Sequence, residues 1–218
     1  MKIAIILSGC GFLDGSEVNE VVLTILSLEK RKIDYQCFAP NIQQKDVINH
    51  INQKKNEEIR NVLIESARIV RSKILPLDQC NSNEFDGLIV PGGYGVVKNL
   101  SNYYFDKSNF FIEKNVLKIC RKFIGKPVGY ICIAPVLLPM IYKKKIKLTI
   151  GNDKKISNDL VKLGCKVVKC QSNDIVIDLK NNIITTPAYM LSNNIYDIYL
   201  NIDKLVCIML DLHKKINI

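Results

Sequence analysis

The chain has 218 residues, of which 48% are hydrophobic, and a mean hydropathy of +0.08. These values exclude a disordered chain and predict a single domain over residues 1–218, with an inserted segment at about 41–74. The formal net charge of +10 comes mostly from lysines spread along the whole chain, and the densest basic run, at 143–145, is short. Because no nucleic-acid-binding motif accompanies it and no stretch approaches ~20 apolar residues, we predict neither a nucleic-acid nor a membrane partner.

The first part of the chain alternates between strand and helix patterns. Residues 3–7 form a continuous apolar run, which is typical of a strand buried in a parallel sheet. A turn of small residues follows, and Ser16 is predicted to cap a helix that begins near Glu17. Residues 33–39 read as a second strand, and the inserted segment after it contains a helix-like stretch at 57–70.

The rest of the chain continues the alternation. Further strands are predicted at residues 85–90, 128–131, 147–150, 166–168, 175–178 and 183–186, and helices at 112–123, 133–142 and 188–213. Pro135 is tolerable in the first turn of its helix, whereas Pro139 is predicted to shorten or kink it. Asn181-Asn182 is predicted to close a hairpin between the last two strands.

This alternation predicts an α/β fold with a doubly wound, mostly parallel sheet flanked by helices in a three-layer sandwich. In such a fold, ligands lie at the carboxyl ends of the strands. Three features end a strand and open a helix, and we therefore expect them at one edge of the sheet: the stretch at 9–20, Pro91-Gly92-Gly93, and Cys132 with the residues after it.

Cys132 is the principal candidate for chemistry among the eight cysteines. A thiol at a helix N-terminus is expected to have a pKa below the ordinary value of ~8.5, and a sharp strand–turn–helix would expose it as a nucleophile. From its position alone, a buried structural cysteine is an equally good interpretation. No C-x-x-C pair or zinc-ligand spacing is present, so we predict no metal. The cysteines also indicate a reducing compartment, and we predict a cytoplasmic location.

Two other features are weaker signals. The backbone N–H groups of Gly92, Gly93 and Ile133 could form an oxyanion hole, although Pro-Gly-Gly is also a common turn. Glu17 and Glu20 lie on one face of a predicted helix and could serve Cys132 as acid or base, although acidic residues are common in a first turn. A dinucleotide-binding loop is excluded because Asp14 stands at the third glycine position, and we predict no cofactor.

The chain resembles the ElbB-type proteins, the isoprenoid-biosynthesis glyoxalases, which are a branch of the PfpI/ThiJ superfamily. Their fold is flavodoxin-like, of the class I glutamine amidotransferase type. The resemblance spans nearly the whole chain in order. The matching stretches are ILSGCG and DGSEVNE within residues 5–20, CFAP and QQKDVINH within 37–50, RNVLIESARI at 60–69, LIVPGGYGVVKNLSN at 88–102, GYICIAP at 129–135, LTIG at 148–151 and TTPAYML at 185–191.

The resemblance implies that Cys132 is a reactive cysteine at a nucleophile elbow and that a glutamate of the first helix pairs with it. Glu17 and Glu20 both remain open for that role. Many relatives place histidine directly after the nucleophile, whereas this chain has Ile133. Amidase and protease chemistry is disfavoured on that ground, since it needs a base to activate the nucleophile.

The implied activity is a glyoxalase that converts methylglyoxal or glyoxal to a 2-hydroxy acid without metal or glutathione. Cys132 would form a hemithioacetal with this small dicarbonyl substrate, and a glutamate would move the proton. The alternative is a redox-sensing or stress-response binding protein that uses an oxidisable Cys132. The resemblance also implies a homodimer. The remaining predicted pocket residues lie in the matched stretches and are Gly11, Asn49, His50, Thr186 and Tyr189.

Overall fold

A seven-stranded sheet forms the centre of the computed structural model, which describes residues 1–143 and 145–216. Lys144, in the middle of the basic run, lies outside the described residues. The strands are β1 (Lys2–Ile6), β2 (Asp34–Ala39), β3 (Val47–Ile48), β4 (Lys55–Asn56), β5 (Ile74–Pro76), β6 (Gly87–Val90), β7 (Val128–Ile131), β8 (Lys147–Leu148), β9 (Lys166–Val167), β10 (Val176–Asp178) and β11 (Ile183–Thr186). The α-helices are α1 (Val18–Glu29), α2 (Val62–Ile69), α3 (Gly95–Lys98), α4 (Lys114–Arg121), α5 (Leu138–Tyr142), α6 (Lys154–Lys162) and α7 (Ile195–Ile216).

The order of strands in the sheet is β10-β11-β7-β6-β1-β2-β5. All neighbours are parallel except β10, which pairs with β11 in antiparallel direction through the predicted hairpin. Ile3, Ala4 and Ile5 of β1 are fully buried, as expected for a strand covered on both faces. The predicted fold class, a mostly parallel central sheet flanked by helices, is therefore confirmed.

The segment at 41–74 consists of two different parts. Strands β3 and β4 form an antiparallel pair of their own outside the main sheet. Helix α2 then leads into β5, which pairs with β2 as the edge strand of the main sheet. The second part is thus a crossover connection between two parallel strands. Strands β8 and β9, at two of the predicted positions, form a second small sheet and do not join the main one.

Three predicted helix starts differ from the structure. Glu17, and not Ser16, caps α1, because its side chain accepts the N–H of Glu20. The predicted helix after Cys132 begins as a 3-10 turn at Ala134–Leu137, and a short α5 with Pro139 in its first turn follows. The C-terminal helix starts at Ile195, because the residues before it form a separate 3-10 turn at Ala188–Met190.

Helix α7 packs on α1 and on strands β7 and β11, next to the strand that carries Cys132. Gly129 in β7 makes this approach possible: a Cβ at that position would lie 2.7 Å from Leu205 Cδ2 and 3.2 Å from Met209 Sδ. The packing of α7 therefore depends on the absence of a side chain at Gly129, in the middle of the sheet.

Within the described part of the chain, no helix is both long and apolar enough to cross a membrane.

We expect Gly129→Val to lower the free energy of unfolding by ~1–3 kcal/mol, as is usual when a filled core is overpacked. Leu205→Ala alone should also destabilise the protein, because it leaves a cavity. The double variant should be more stable than the sum of the two single effects predicts, since the smaller residue 205 makes room for the valine. Additive effects in urea unfolding would contradict this account of the contact.

Candidate functional site

The carboxyl ends of four neighbouring strands bring the candidate residues together. Glu17 and Glu20 follow β1, Gly92 and Gly93 follow β6, and Cys132 follows β7 directly. Strands β1, β6 and β7 are adjacent in the sheet, with β11 beside β7. Residues that are far apart in sequence are therefore neighbours at one edge, as the alternation of strands and helices predicted.

Cys132 lies in a tight turn that places it in the left-handed region of backbone conformation, with a φ of +58°. Such a conformation costs ~1–3 kcal/mol for a residue other than glycine and persists only where its surroundings enforce it. Here the N–H of Cys132 donates to the carbonyl oxygen of Thr186, 2.8 Å away in β11. The 3-10 turn after it contains Pro135. This is the strand–turn–helix elbow that the sequence predicts.

Glu20 is the carboxylate beside Cys132. Its side chain is fully buried, and its Oε2 accepts the N–H of Gly92 at 2.7 Å. Its Oε1 makes no hydrogen bond among the described residues. A Cβ at Gly92 would lie 2.7 Å from Glu20 Oε2 and 3.1 Å from Cys132 Sγ, so both groups border one small space. The sequence leaves open which of the two glutamates lies beside the Cys132 sulfur, and in the structure it is Glu20.

Burial raises the pKa of both partners. The pKa of Glu20 rises to about 8, because burial and the neighbouring Glu17 disfavour its charge more than the Gly92 N–H favours it. Burial and the Glu20 carboxyl raise the pKa of Cys132 well above its ordinary value. The prediction of a lowered thiol pKa is therefore wrong: one 3-10 turn follows the cysteine in place of a long α-helix, and desolvation dominates.

The backbone amides around the sulfur divide into two groups. The N–H groups of Ile133 and Gly93 face Cys132 and favour its thiolate, which partly opposes the effect of burial on its pKa. The N–H of Gly92 is engaged by Glu20, and the carbonyl oxygen of Gly92 accepts the N–H of Glu17 at 3.0 Å. Of the three predicted oxyanion-hole residues, Gly92 thus holds the glutamate and only the other two direct their N–H groups at the sulfur.

Cys132 opens into a cavity of about 470 Å³. Its lining is formed by Phe12, Glu17, Asn19, Gly93, Tyr94, Cys132, Ile133, Asp153, Ile156, Tyr189, Met190 and Asn193. Glu17 caps α1 and faces this space, and Tyr189 accepts a hydrogen bond from Asn19 at 2.8 Å through its hydroxyl. The two glutamates therefore have different positions, one beside the sulfur and one on the wall.

Sequence reasoning missed most of the wall. Tyr94 could have been found, because it follows Gly93 in the same turn after β6. Asp153 could not, because it lies beyond a small sheet whose place against the main sheet no local pattern indicates. Phe12 lies in the turn after β1 and is 46% exposed, so no hydrophobic periodicity signals it. The missed residues share no motif and belong to several different loops.

Four of the five predicted pocket residues, Gly11, Asn49, His50 and Thr186, do not line the cavity. His50 and Asn49 belong to the turn between β3 and β4, where the Asn49 side chain accepts the N–H groups of the turn. His50 packs against the loop after β1: a Cβ at Gly11 would lie 2.6 Å from its ring. Thr186 supports the elbow through its backbone carbonyl oxygen, which accepts the N–H of Cys132. Of the predicted pocket residues, only Tyr189 is on the wall.

Comparison with known proteins identifies the family, although no family model matches the chain. A mitochondrial ES1 protein homolog of Rattus norvegicus is 35% identical over 98% of this chain and 85% of its own length. The human mitochondrial glutamine amidotransferase-like class 1 domain-containing protein 3 is 34% identical over 98% and 84%. The chain belongs to the ES1 family of glutamine amidotransferase-like class 1 proteins.

Solved structures are similar to the chain over nearly its whole length. An isoprenoid biosynthesis protein with an amidotransferase-like domain from Ehrlichia chaffeensis has a TM-score of 0.91 and 38% identity, and the match covers 97% of this chain and 99% of the other. The ElbB-type resemblance is thereby confirmed. DJ-1 of Schizosaccharomyces pombe matches over both whole chains with a TM-score of 0.59 at 14% identity, which shows the fold alone.

The comparison also corrects the predicted location. The curated ES1 relatives, at 30–35% identity over most of this chain, are mitochondrial proteins. The prediction of a cytoplasmic protein is therefore wrong. It rested on cysteines that form no disulfide framework, and that property indicates a reducing environment without distinguishing between the compartments that provide one.

We expect Gly92→Ala to separate Cys132 from Glu20. The added methyl group would lie 2.5 Å from Cys132 Cβ and 2.7 Å from Glu20 Oε2, so one of the two side chains must move. Displacing the carboxyl removes a cause of the raised thiol pKa, so alkylation of Cys132 by iodoacetamide should begin at a lower pH. Peptide mass spectrometry would measure the rate at this cysteine alone.

Gly125→Ala is the control for this variant. Unlike Gly92, Gly125 has a positive φ, of +96°, and a Cβ there meets nothing within 4 Å. It reports the cost of backbone strain without a clash. If both variants have the same alkylation profile as the parent protein, Gly92 is not a spacer between the two acids.

We expect Glu20→Gln to make folding stability less dependent on pH. A carboxyl whose pKa rises from 4.5 to about 8 on folding stabilises the fold at low pH, and this contribution is lost as the pH rises from about 4.5 through about 8. Glutamine keeps the shape and carries no charge, so the variant should gain in thermal stability relative to the parent as the pH increases across this window. Glu113→Gln, which alters a glutamate that caps α4 away from Cys132, is the control. A constant difference from pH 4.5 to 8 would contradict the buried position of the charge.

Proposed function

We propose that the chain is a cysteine-dependent enzyme that converts 2-oxoaldehydes, such as methylglyoxal and glyoxal, to 2-hydroxy acids without glutathione. The observation that supports it best is the contact between Cys132 and the fully buried Glu20 at the wall of a cavity. This reaction needs a nucleophile that adds to an aldehyde and a neighbouring group that moves a proton between two adjacent carbons. The pair offers one of each.

The first step is the addition of the Cys132 sulfur to the aldehyde carbon. A carbon–sulfur bond forms, the carbonyl π bond breaks, and the oxygen takes up a proton to give a hemithioacetal. The N–H groups of Gly93 and Ile133 favour negative charge at the sulfur before the attack. The Cys132 thiol and the Glu20 carboxyl are buried side by side, so ionisation of one disfavours ionisation of the other.

The second step moves a proton from the former aldehyde carbon to the former ketone carbon through an enediol. The first carbon becomes a thioester and is oxidised, while the second becomes an alcohol and is reduced, so no external redox partner is needed. Glu20 is suited to this transfer, since a pKa of about 8 lets the carboxyl hold and release a proton near neutral pH. Water then hydrolyses the thioester, releases the 2-hydroxy acid and returns the thiol.

The arrangement favours this function over amide hydrolysis. Neither histidine lines the cavity: His50 packs on the loop after β1, and His213 is in the last turns of α7. Ile133, which occupies the position after the nucleophile, contributes its apolar side chain to the wall. Without a histidine, the site lacks the usual group that activates a nucleophile and then protonates a leaving amine.

The redox-sensing alternative receives less support from the geometry. Sensor cysteines are solvent-accessible and have lowered pKa values, because oxidants react with the thiolate. Cys132 is only 8% exposed, and burial raises its pKa. We therefore place catalysis first, and the homodimer that the resemblance implies stays a prediction.

The direct test is the production of lactate from methylglyoxal by the purified protein, with chelator present and glutathione absent. Cys132→Ser and Glu20→Gln should each lower kcat/KM by about 10²-fold or more, since each removes a group that acts on the reacting atoms. The pH profile of the parent protein should rise towards about 8, as the protonated pair loses its first proton.

Cys170→Ser is the matched control, because this half-buried cysteine does not line the cavity. It should leave the rate unchanged. Lactate formation that survives in Cys132→Ser, or a parent protein that forms none, would overturn the proposed function. In the second case, oxidation of Cys132 by peroxide, followed by intact mass, would test the sensing alternative.

A further inference from the structure

The cavity beside Cys132 is much larger than methylglyoxal. A volume of about 470 Å³ lies within the range of roughly 300–1,000 Å³ that holds drug-sized ligands. Its walls include three aromatic rings, Phe12, Tyr94 and Tyr189, together with Met190 and Ile156. A three-carbon dicarbonyl would fill a small part of this space and would leave most of these apolar surfaces uncovered. The volume and the walls therefore fit a ligand with an apolar body.

The charges on the wall have one sign. Glu17 and Asp153 line the cavity, and no lysine, arginine or histidine is among its described lining residues. The contrast with the rest of the chain is large, because the formal net charge is +10. A ligand in this cavity therefore meets negative groups in a protein that is otherwise strongly basic.

The two carboxylates also lack cationic partners. Several other half-buried acids are paired: Asp46 with two lysines, Asp159 with Lys107, and Asp203 with Arg31. No such ion pair involves Glu17 or Asp153 within residues 1–143 and 145–216. Each caps a helix with one oxygen, Glu17 towards the N–H of Glu20 and Asp153 towards the N–H of Ile156.

The lysines nearest to Asp153 in sequence do not change this. Lys154 and Lys155 are exposed in the first turn of α6 and are not part of the lining. Tyr94 and Tyr189 contribute phenol groups, and Asp153 acts electrostatically on Tyr94 together with Cys132. The cysteine and the aspartate are thus each within electrostatic range of Tyr94 on the cavity wall.

We propose that the site takes a 2-oxoaldehyde with an apolar or aromatic body and a cationic end group, and that Glu17 and Asp153 select the cation and reject anionic compounds. The carbonyl end lies at Cys132, the body contacts the aromatic wall, and the cation is held by the free carboxylate oxygens. Phosphorylated and diphosphate-bearing compounds are excluded by the same charges. This inference on the substrate class rests on the proposed function for its reacting end only.

The test compares three arylglyoxals of the same size: neutral phenylglyoxal, its 4-carboxy derivative and its 4-trimethylammonio derivative. We expect kcat/KM to be highest for the cation and lowest for the anion, with about a tenfold difference or more between them, as one charge-assisted contact supplies. Added salt should reduce the difference. An anion that reacts as well as the cation would overturn the proposal.

Asp153→Asn is the decisive variant, because asparagine caps a helix as well as aspartate and only the charge is lost. In this variant, the ratio of kcat/KM for the cationic compound to kcat/KM for neutral phenylglyoxal should fall towards one. Glu17→Gln should act in the same direction. Glu113→Gln, a glutamate that caps α4 outside the cavity, is the matched control and should leave the preference unchanged.

A binding experiment separates this inference from the proposed function. The corresponding acetophenones have the same body and end groups but no aldehyde, so they can bind without reacting. We expect the cationic acetophenone to protect Cys132 from iodoacetamide better than the anionic one, and inorganic diphosphate to give no protection. Protection in this order without turnover of any arylglyoxal would overturn the proposed function and uphold the charge selection. Turnover of the arylglyoxals without a preference for the cation would uphold the proposed function and overturn the charge selection.

Discussion

The site depends on two acidic groups buried side by side, the carboxyl of Glu20 and the thiol of Cys132. A single buried carboxylate is costly unless its oxygens are hydrogen-bonded, and here one oxygen has the Gly92 N–H and the other has no hydrogen-bond partner among the described residues. The fold therefore favours the protonated carboxyl and keeps a proton beside the Cys132 sulfur. In the proposed reaction, the carboxyl has to release this proton before it can take the one on the former aldehyde carbon.

Gly92 connects this pair to the architecture. Its N–H binds Glu20, its carbonyl oxygen binds the N–H of Glu17, and the absence of a side chain leaves the space that the sulfur and the carboxyl share. A single residue in the turn after β6, Gly92, thus fixes the start of α1 against the elbow after β7. The arrangement is possible because β1, β6 and β7 are neighbours in the sheet, although they are distant in sequence.

Sequence patterns were sufficient for the parts of the molecule that repeat. Continuous apolar runs located β1, β6 and β7, and turns of small residues at their ends located the candidate site. The same patterns could not show whether Glu17 or Glu20 faces the sulfur. The predicted start of a helix is uncertain by one or two residues, so the sequence does not show which glutamate caps α1 and which lies inside it. The identity of the capping residue, Glu17 instead of Ser16, decides this point.

Charge at the site was the property that local reasoning predicted least well. The expected effect of a helix N-terminus on Cys132 assumed a long helix and a solvated thiol, whereas the structure has a 3-10 turn and a buried sulfur. Desolvation depends on everything packed around a group, and no short motif encodes it. The same holds for the cavity wall, which is assembled from loops whose composition is unremarkable one at a time.

The segment around His50 affects the site without lining it. Its ring lies over Gly11, and the Asp14 carboxylate accepts the N–H of Ile48 at 2.6 Å, so the turn between β3 and β4 is fastened to the loop after β1. That loop carries Phe12 and leads into Glu17, both of which form the cavity wall. The hairpin is one of several supports of this loop, which also accepts the N–H of Tyr94 at the carbonyl oxygen of Phe12, 2.7 Å away. His50, which the sequence placed among the pocket residues, therefore contacts the loop that carries part of the cavity wall and does not line the cavity itself.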